Sequence, residues 1–258
     1  MIQSQQHIHF GKALCWCAAL MLGLAACGGD PDSCFKSAGS EATETRSITV
    51  DFQEIVVEGK IDLVLFPAES GTQQDITLQG GENLLEFIET EVEGKQLRLS
   101  VNTTCNFFRS YKKRFQVRVP FSADVHLLNI LTDARVNSAD TLVFDSLRLL
   151  HQGTDDAHLL TDCRFLDAEI QNLGSISLDG RASIFASYIN DAGGLDAGDY
   201  NAAYNFVAHY GINDVYVYAE KGFGIENYRS GRVFYRGDPW DFFQKANYGG
   251  GHIGPAED

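Results

Sequence analysis

The stretch DAEIQNLGSISL (residues 167–178) decides the fold, because two short runs of alternating apolar and polar residues meet there at an Asn, Gly and Ser corner. Related stretches stand on both sides of it: SLRLLHQGTDDAHL (146–159), ASYINDAGGLDA (186–197), NFVAHYGINDVYV (205–217) and GIENYRSGRVFY (224–235). One position recurs at intervals of 19 residues: Ile170, Ile189, Ala208 and Asn227. Such a repeat, without helical periodicity, is typical of a β-solenoid, because one unit buries its apolar face only against neighbours above and below.

The repeats predict an all-β chain folded as a right-handed parallel β-helix with rungs of about 19–20 residues. The domain is expected to span residues 47–237, with a strand-rich part at 47–120 and regular rungs at 125–237. One short helix is predicted near residues 83–91, where NLLEFIETE carries an apolar stripe. Residues 238–258 are rich in aromatic side chains and are predicted to cap the open end of the solenoid.

The N-terminus has the features of a lipoprotein signal peptide at residues 1–26. An apolar run ends in Leu24-Ala25-Ala26-Cys27, which resembles a bacterial lipobox. Cleavage would leave Cys27 as the lipid-bearing first residue, and residues 27–46 as a tether rich in small and acidic residues. We therefore expect an envelope protein anchored to a membrane by its lipid, at the outer membrane and either periplasmic or surface-exposed.

Three of the six cysteines remain once Cys15 and Cys17 are removed with the signal peptide and Cys27 is assigned to the lipid: Cys34, Cys105 and Cys163. An odd number in an oxidising compartment permits one intramolecular bridge, and we favour Cys34 with Cys105. A metal site is the alternative, but the cysteines lack CxxC spacing. Cys163 is expected to be a small buried residue.

The formal net charge of -15 excludes one class of partner. A chain this acidic repels phosphate backbones and gains nothing from counterion release, so we expect no binding to nucleic acid.

Two groups of corner residues are candidate binding sites. Aromatic and amide side chains that could receive a ligand accumulate late in the repeats: Tyr188, Asn190, Tyr210, Asn213, Tyr216, Asn227 and Tyr228. Asp179, Asp199 and Asp214 would bind calcium, or act as acid and base, if their corners stacked them together. Solvated corner carboxylates are the simpler interpretation, so we predict no cofactor and no metal.

Several stretches together resemble the head-GIN-domain proteins of Bacteroidota-type bacteria, a family described as autotransporter adhesins. They are the lipoprotein start, DFQEIVVEGKIDLVL (51–65), GGENLLEFIETEVEGKQLRL (80–99), CNFFRSYKK (105–113) and VFYRGDP (233–239). The resemblance implies a parallel β-helix-like domain at the cell envelope with an adhesive role. It supplies no catalytic residues.

The leading hypothesis is a non-enzymatic, lipid-anchored adhesin that recognises a glycan or a protein through the outer face of the solenoid. A polysaccharide lyase or glycoside hydrolase on the same scaffold is the alternative, although no catalytic motif is present. A purely structural envelope spacer is a third. Outward tyrosines on one contiguous face would favour binding, whereas scattered tyrosines would favour the spacer.

Overall fold

A computed structural model describes residues 38–102 and 114–256, except for the side chains of residues 243–245. Within these residues the chain forms a β-solenoid of about six turns, which confirms the predicted fold class. The strands are β1 (Glu41–Thr49), β2 (Glu54–Glu58), β3 (Ile61–Pro67), β4 (Gln73–Gly81), β5 (Ile88–Glu93), β6 (Gln96–Val101), β7 (Phe115–Phe121), β8 (Leu127–Thr132), β9 (Arg135–Ser138), β10 (Leu142–Gly153), β11 (Ala157–Ile170), β12 (Ser175–Asp191), β13 (Gly194–Ala197), β14 (Tyr200–Gly211), β15 (Val215–Tyr218), β16 (Gly222–Asn227), β17 (Val233–Arg236), β18 (Asp241–Asn247) and β19 (Ile253–Pro255).

The rungs stack in parallel and form three flanks. The first flank joins β6, β2 and β8 to the C-terminal parts of β10, β11, β12 and β14, and then to β16 and β18. The second joins β7, β3 and β9 to the starts of β11 and β12, followed by β13, β15, β17 and β19. The third is shorter and stacks residues 142–144, 161–163, 180–182 and 200–202. We call the turn between the first and second flanks the first corner.

The pairing of residues between adjacent strands departs by one residue from the constant 19-residue spacing of the sequence repeat. Ile170 lies opposite Ile189, but Ile189 lies opposite His209, and His209 lies opposite Asn227. Placing Ala208 in this column is therefore wrong. Successive side chains of a strand point to opposite faces, so the shift puts His209 inside the solenoid and leaves Ala208 outside.

The core consists of inward aliphatic and aromatic side chains stacked along the flanks. Examples with no exposed surface are Leu149, Ala168, Phe185, Val215 and Phe223. Each rung covers the apolar surface of the rung before it and shares its backbone hydrogen bonds, so no rung is expected to be stable alone.

The N-terminal end of the stack is closed by antiparallel strands. β5 pairs with β6, while β4 pairs with β7 and β1 pairs with β4. The prediction that residues 27–46 form a tether is wrong for residues 41–46, because they belong to β1, which begins at Glu41.

A short helix lies near residues 83–91 as predicted, but it is a 3-10 helix and ends earlier than the prediction. A 3-10 helix spans Glu82–Phe87 and buries Leu84 and Leu85. The chain then extends as β5, whose backbone pairs with β6 over its whole length. Within the described residues, no helix has the length and apolarity of a membrane span.

Residues 238–258, which are predicted to cap the open end of the solenoid, continue the stack of parallel strands. β18 pairs with β16, and β19 pairs with β17, so this segment adds another rung. Trp240 is 73% exposed and lies on the surface. Phe242 lies opposite the buried Phe223, and its ring centroid is 6.0 Å from that of Phe223 and 5.9 Å from that of Tyr235, so it covers the core at this end although it is 44% exposed.

Candidate functional site

The outer surface of the first flank changes character along the stack. On β10 and β11 it is charged, and Arg148 donates to Glu169 at 2.8 Å. From β12 onward it is mostly uncharged, and we call this part the aromatic face. Among the side chains that the structure describes, its outward positions are Ile184, Ala186, Tyr188 and Asn190 on β12, Tyr204, Phe206, Ala208 and Tyr210 on β14, Gly222, Gly224, Glu226 and Tyr228 along and after β16, and Asp241, Ala246 and Tyr248 along and after β18.

Four tyrosines of this face form a ladder across the rungs: Tyr188, Tyr210, Tyr228 and Tyr248. Tyr210 and Tyr228 are stacked with ring centroids 4.0 Å apart and planes 9° apart. Tyr228 stacks on Tyr248 at 5.1 Å, and Tyr188 meets Tyr210 at 5.0 Å with a 34° tilt. The rung spacing of about 4.8 Å suits such stacking, so the β-solenoid itself sets the interval between the rings.

The hydroxyl groups of the ladder are held in a polar network at its centre. Tyr228 donates its hydroxyl hydrogen to Glu226 Oε2 at 2.5 Å. This hydrogen bond, together with Tyr210, raises the pKa of Tyr228. The phenol therefore stays protonated across the physiological range and acts as a neutral donor.

Phe206 lies beside the ladder on the same face. Its column neighbours are Ala186 on one side and Gly224 on the other. The ring leans over Gly224, because a Cβ built there would meet Phe206 Cδ1 at 2.8 Å. The side chain is 41% exposed.

The predicted ligand residues do not all meet on this face. Tyr188, Asn190, Tyr210 and Tyr228 do, whereas Tyr216 lies on the second flank. There it stacks on Phe234 at 5.2 Å, and Arg232 lies over the Phe234 ring. Grouping Tyr216 with the other tyrosines was therefore wrong, since a corner of the solenoid separates them.

The two remaining amides belong to the first corner. Asn227 has no exposed surface, and its Nδ2 donates to the Gly231 carbonyl at 2.8 Å. Its prediction as a ligand residue is wrong, because it points into the core. Asn213 is exposed and donates to the Ala192 carbonyl at 2.5 Å, which ties successive rungs together.

The three aspartates predicted to converge are held apart by separate basic partners. Asp179 lies 2.6 Å from His158, Asp199 lies 2.7 Å from Arg236, and Asp214 is paired with Arg232. They therefore do not form a common calcium or acid/base site. Within residues 38–102 and 114–256, no group of three or more His, Cys, Asp or Glu side chains is arranged to hold a metal ion.

Cys163 is buried, as predicted, with its Sγ 3.4 Å from the hydroxyl of Tyr200. Burial raises the pKa of its thiol, which keeps it protonated and weakly reactive. Cys27, Cys34 and Cys105 lie outside the described residues, so the lipid anchor and the disulfide stay predictions.

The sequence patterns missed Phe206, Gly224, Glu226 and Tyr248 as members of this face. The constant 19-residue spacing places Phe206 on the same side as Ala208, in the column of the inward Ile170 and Ile189. Alternation within a strand also does not show which outward residues of different rungs are adjacent. Tyr248 is not among the predicted ligand residues, because it lies in the segment predicted to be a cap.

A family model described as "Putative auto-transporter adhesin, head GIN domain" matches residues 51–239. The chain belongs to the head GIN family. The resemblance noted in the sequence is thereby confirmed. Membership indicates a location at the cell envelope or surface. Tyr188, Tyr210 and Tyr228 of this head GIN protein lie within the matched residues, and Tyr248 lies beyond them.

Solved structures share the fold of this head GIN protein. A "putative adhesin" from Bacteroides fragilis NCTC 9343 has a TM-score of 0.71 at 20% identity, covering 84% of this chain and 98% of that one. A "putative adhesin" from Parabacteroides distasonis ATCC 8503 gives 0.64 at 17% identity, with 84% and 98% covered. A "Putative lipid binding protein" from the same organism gives 0.59 at 19%, with 83% and 97% covered. No curated protein matches the chain. At these identities the likeness establishes the fold alone.

Proposed function

We propose that this head GIN protein is a lipid-anchored adhesin of the cell envelope that binds a glycan through the aromatic face. The observation that carries the proposal is the contiguity of Tyr188, Tyr210, Tyr228 and Tyr248 on one flank. A spacer would have no need to gather exposed aromatic side chains there. Clusters of exposed aromatic surface mark interaction sites in soluble proteins.

The chemistry of the face supports a glycan as the ligand. Sugars present both apolar C–H surfaces and many hydroxyl groups, and proteins bind such ligands with aromatic rings and a few oriented polar groups. Here the tyrosine hydroxyls, the Asn190 amide and the Glu226 carboxylate supply the polar groups.

The enzymatic alternative has less support on this surface. Glycoside hydrolysis generally uses a pair of carboxyl groups on opposite sides of the bond to be cleaved. The acidic side chains described on the aromatic face are Glu226, which accepts from Tyr228, and Asp241. Incubation with neutral and acidic polysaccharides, scored by new reducing ends, tests the alternative directly.

Membrane attachment through Cys27 forms part of the proposal. Each buried methylene of a lipid chain contributes roughly 0.8 kcal/mol, so a multiply acylated cysteine anchors a protein stably. Cys27→Ala is expected to move the protein from the detergent phase to the aqueous phase on Triton X-114 partition. Retention in the detergent phase would contradict lipidation at this residue.

The two aromatic pairs on different flanks provide a test with a matched control. Tyr210→Ala with Tyr228→Ala removes the centre of the ladder, whereas Tyr216→Ala with Phe234→Ala removes the stacked pair of the second flank. On a glycan array, we expect the first double variant to lose binding and the second to retain it. Equal binding by both variants, each shown to be folded by circular dichroism, would refute the aromatic face as the site.

A further inference from the structure

The outermost strand at the N-terminal end of the stack is β1. It pairs with β4, which pairs with β7, so it lies two strands beyond β7, whereas β5 lies one strand beyond β6. Among the described residues, no strand pairs with the other edge of β1. The strand is nine residues long, without proline, glycine or a bulge. Such a regular open edge is a template for a further strand.

The hydrogen bonds at both ends of β1 show which residues face the open edge. Val50 donates its N–H to the Thr72 carbonyl at 2.9 Å, and the Ser40 carbonyl accepts from the N–H of Glu82 at 2.9 Å. Even-numbered residues of β1 therefore face β4, because the direction of N–H and C=O alternates along an antiparallel strand. The odd-numbered residues face the open edge: Glu41, Thr43, Thr45, Ser47 and Thr49.

The half-buried side of β1 is complementary to itself. Its residues in order are Ala42, Glu44, Arg46 and Ile48, and both apolar members pack against the core. When a second β1 runs antiparallel with Thr45 opposite Thr45, Glu44 lies opposite Arg46 and Ala42 lies opposite Ile48. Each pair occurs twice, once on either side of the centre. Opposite charges and apolar side chains directly across an antiparallel pair stabilise it.

The two charged residues also select this register. A shift of the second strand by two residues keeps the same sides together, but places Glu44 opposite Glu44 or Arg46 opposite Arg46. Like charges in directly opposite positions destabilise a strand pair. Charged residues on the inward side of an edge strand generally discourage strand addition, because the added strand must bury them. Here a second copy supplies the opposite charge at each position.

Arg46 has the donors for such a contact. Within one chain, its Nε donates to Glu44 at 2.7 Å, and its Nη1 donates to the Ile88 carbonyl at 2.7 Å and to Thr90 at 2.9 Å. A guanidinium has five N–H donors in a planar fork, so the two N–H groups of Nη2 are left for a carboxylate of the second copy.

We propose that this head GIN protein forms a dimer through β1, with the two Thr45 residues opposite each other at the twofold axis. On the exposed side, Thr43 then lies opposite Ser47, and hydroxyl pairs of this kind are favourable. The contact uses the same surface of both copies, so it closes after two chains. The aromatic face begins at β12, farther along the stack, and each dimer carries two such faces.

The first experiment is oxidative cross-linking of the full chain in whole cells, analysed on a non-reducing gel. Opposite Cα atoms of a hydrogen-bonded antiparallel pair are about 5.5 Å apart, a distance that a disulfide spans. Thr45→Cys should therefore convert most of the protein to a disulfide-linked dimer, above the level of the wild type with its natural cysteines. Thr43→Cys is the matched control and should stay at the wild-type level, because the two Thr43 positions are about 14 Å apart along the strands. Thr43→Cys expressed together with Ser47→Cys should cross-link again.

The second experiment tests the charged pair, with Thr45→Cys present in every chain. Glu44→Arg leaves two positive charges opposite each other, and Arg46→Glu leaves two negative charges, so each variant alone should lose the cross-link. Expressed together, the two variants restore opposite charges across the pair and should cross-link to each other. A size tag on one of them identifies the mixed dimer, whose formation also shows that both variants fold.

The remaining outcomes contradict defined parts of the proposal. Cross-linking of Thr45→Cys at the wild-type level, or at the level of Thr43→Cys, would overturn the dimer. A Thr45→Cys product whose mass differs from that of two chains would assign the edge of β1 to another protein. Charge variants that lose the cross-link and do not regain it together would overturn this register. None of these results bears on glycan binding, which the Tyr210 and Tyr228 double variant tests separately.

Discussion

Gly231 lies against the buried imidazole of His209, so closely that a Cβ at position 231 would come within 2.1 Å of His209 Cε1. The same relationship occurs between Gly174 and His151, with a distance of 2.3 Å to Cε1. Each inward histidine of the first corner is thus covered by a glycine of the following rung. The absence of a side chain at that glycine lets the corners stack around a large ring.

Gly231→Ala should therefore destabilise the protein substantially. The added methyl group would meet His209 and also the Asn213 and Gly211 carbonyl oxygens, at 2.6 and 2.9 Å. Overpacking of this kind costs about 2 kcal/mol. Gly198→Ala is the control, because its new methyl group would have ordinary contacts, the nearest at 3.6 Å. Equal urea midpoints for the two variants would contradict the account of this corner.

Stability should fall when the pH is lowered through the histidine range. His151 and His209 are buried, and burial lowers the pKa of both below the ordinary 6.5. Nearby groups act in the opposite direction, Asp155 and Asp156 on His151, and Asn227 and Asp214 on His209, but burial is the larger effect. The unfolded chain therefore binds more protons, so this contribution is complete above about pH 6.5 and is lost below it.

The measurement is the urea midpoint between pH 7.5 and pH 5.5. Asp145 and Asp162 have their pKa lowered by arginine partners, so they titrate below this window. His209→Asn should flatten the curve, because an amide does not titrate. An asparagine at position 209 can also donate to the backbone carbonyl four residues later in the chain, as Asn227 donates to the Gly231 carbonyl. A curve as steep as that of the wild type would show that His209 does not contribute.

The stacked rings of Tyr210 and Tyr228 should be energetically coupled. A double-mutant cycle with alanine at both positions is expected to show coupling on the order of fivefold in the unfolding equilibrium constant. The pair Tyr216 and Phe234, whose ring planes are 16° apart at 5.2 Å, should give coupling of the same sign. Additive effects at Tyr210 and Tyr228 would mean that their stacking does not stabilise the fold.

Arg114 should be the arginine whose loss is most costly among those in described ion pairs. Its side chain is 17% exposed, and it binds Asp62 and Asp155 at 2.5 Å each. It also donates to the Ile61 and Asp133 carbonyls. Arg114→Ala leaves these acceptors partly buried without their donor, so we expect a loss of about 3 kcal/mol in the free energy of unfolding.

Arg164→Ala is the control for this prediction. Arg164 binds Asp145 on the surface, where the two side chains are 63% and 68% exposed. Solvent screens such a pair, so the thermal midpoint of the Arg164→Ala variant should be close to that of the wild type. An equally small change for Arg114→Ala would contradict a structural role for its network.

The membership of the aromatic face could be predicted only in part. The sequence placed Tyr188, Tyr210 and Tyr228 in related repeats, and these tyrosines do meet in the structure. It did not separate Tyr216, which belongs to the second flank, or include Tyr248. Alternation within a strand shows which residues share a side, but adjacency between rungs also depends on the number of residues in every corner.

The sequence alone determined that this protein is a β-solenoid of the head GIN family. A repeat near 19 residues with alternating apolar positions is satisfied by stacked rungs, because each rung needs a neighbour for its backbone and its apolar side. Tertiary structure decided the register. Ser177 lies opposite Asp196, 19 residues later, whereas Gly180 lies opposite Tyr200, 20 residues later. The extra residue lies in the corner between these two positions. It reverses the face to which each side chain of β14 points, so His209 is buried and Tyr210 is on the aromatic face.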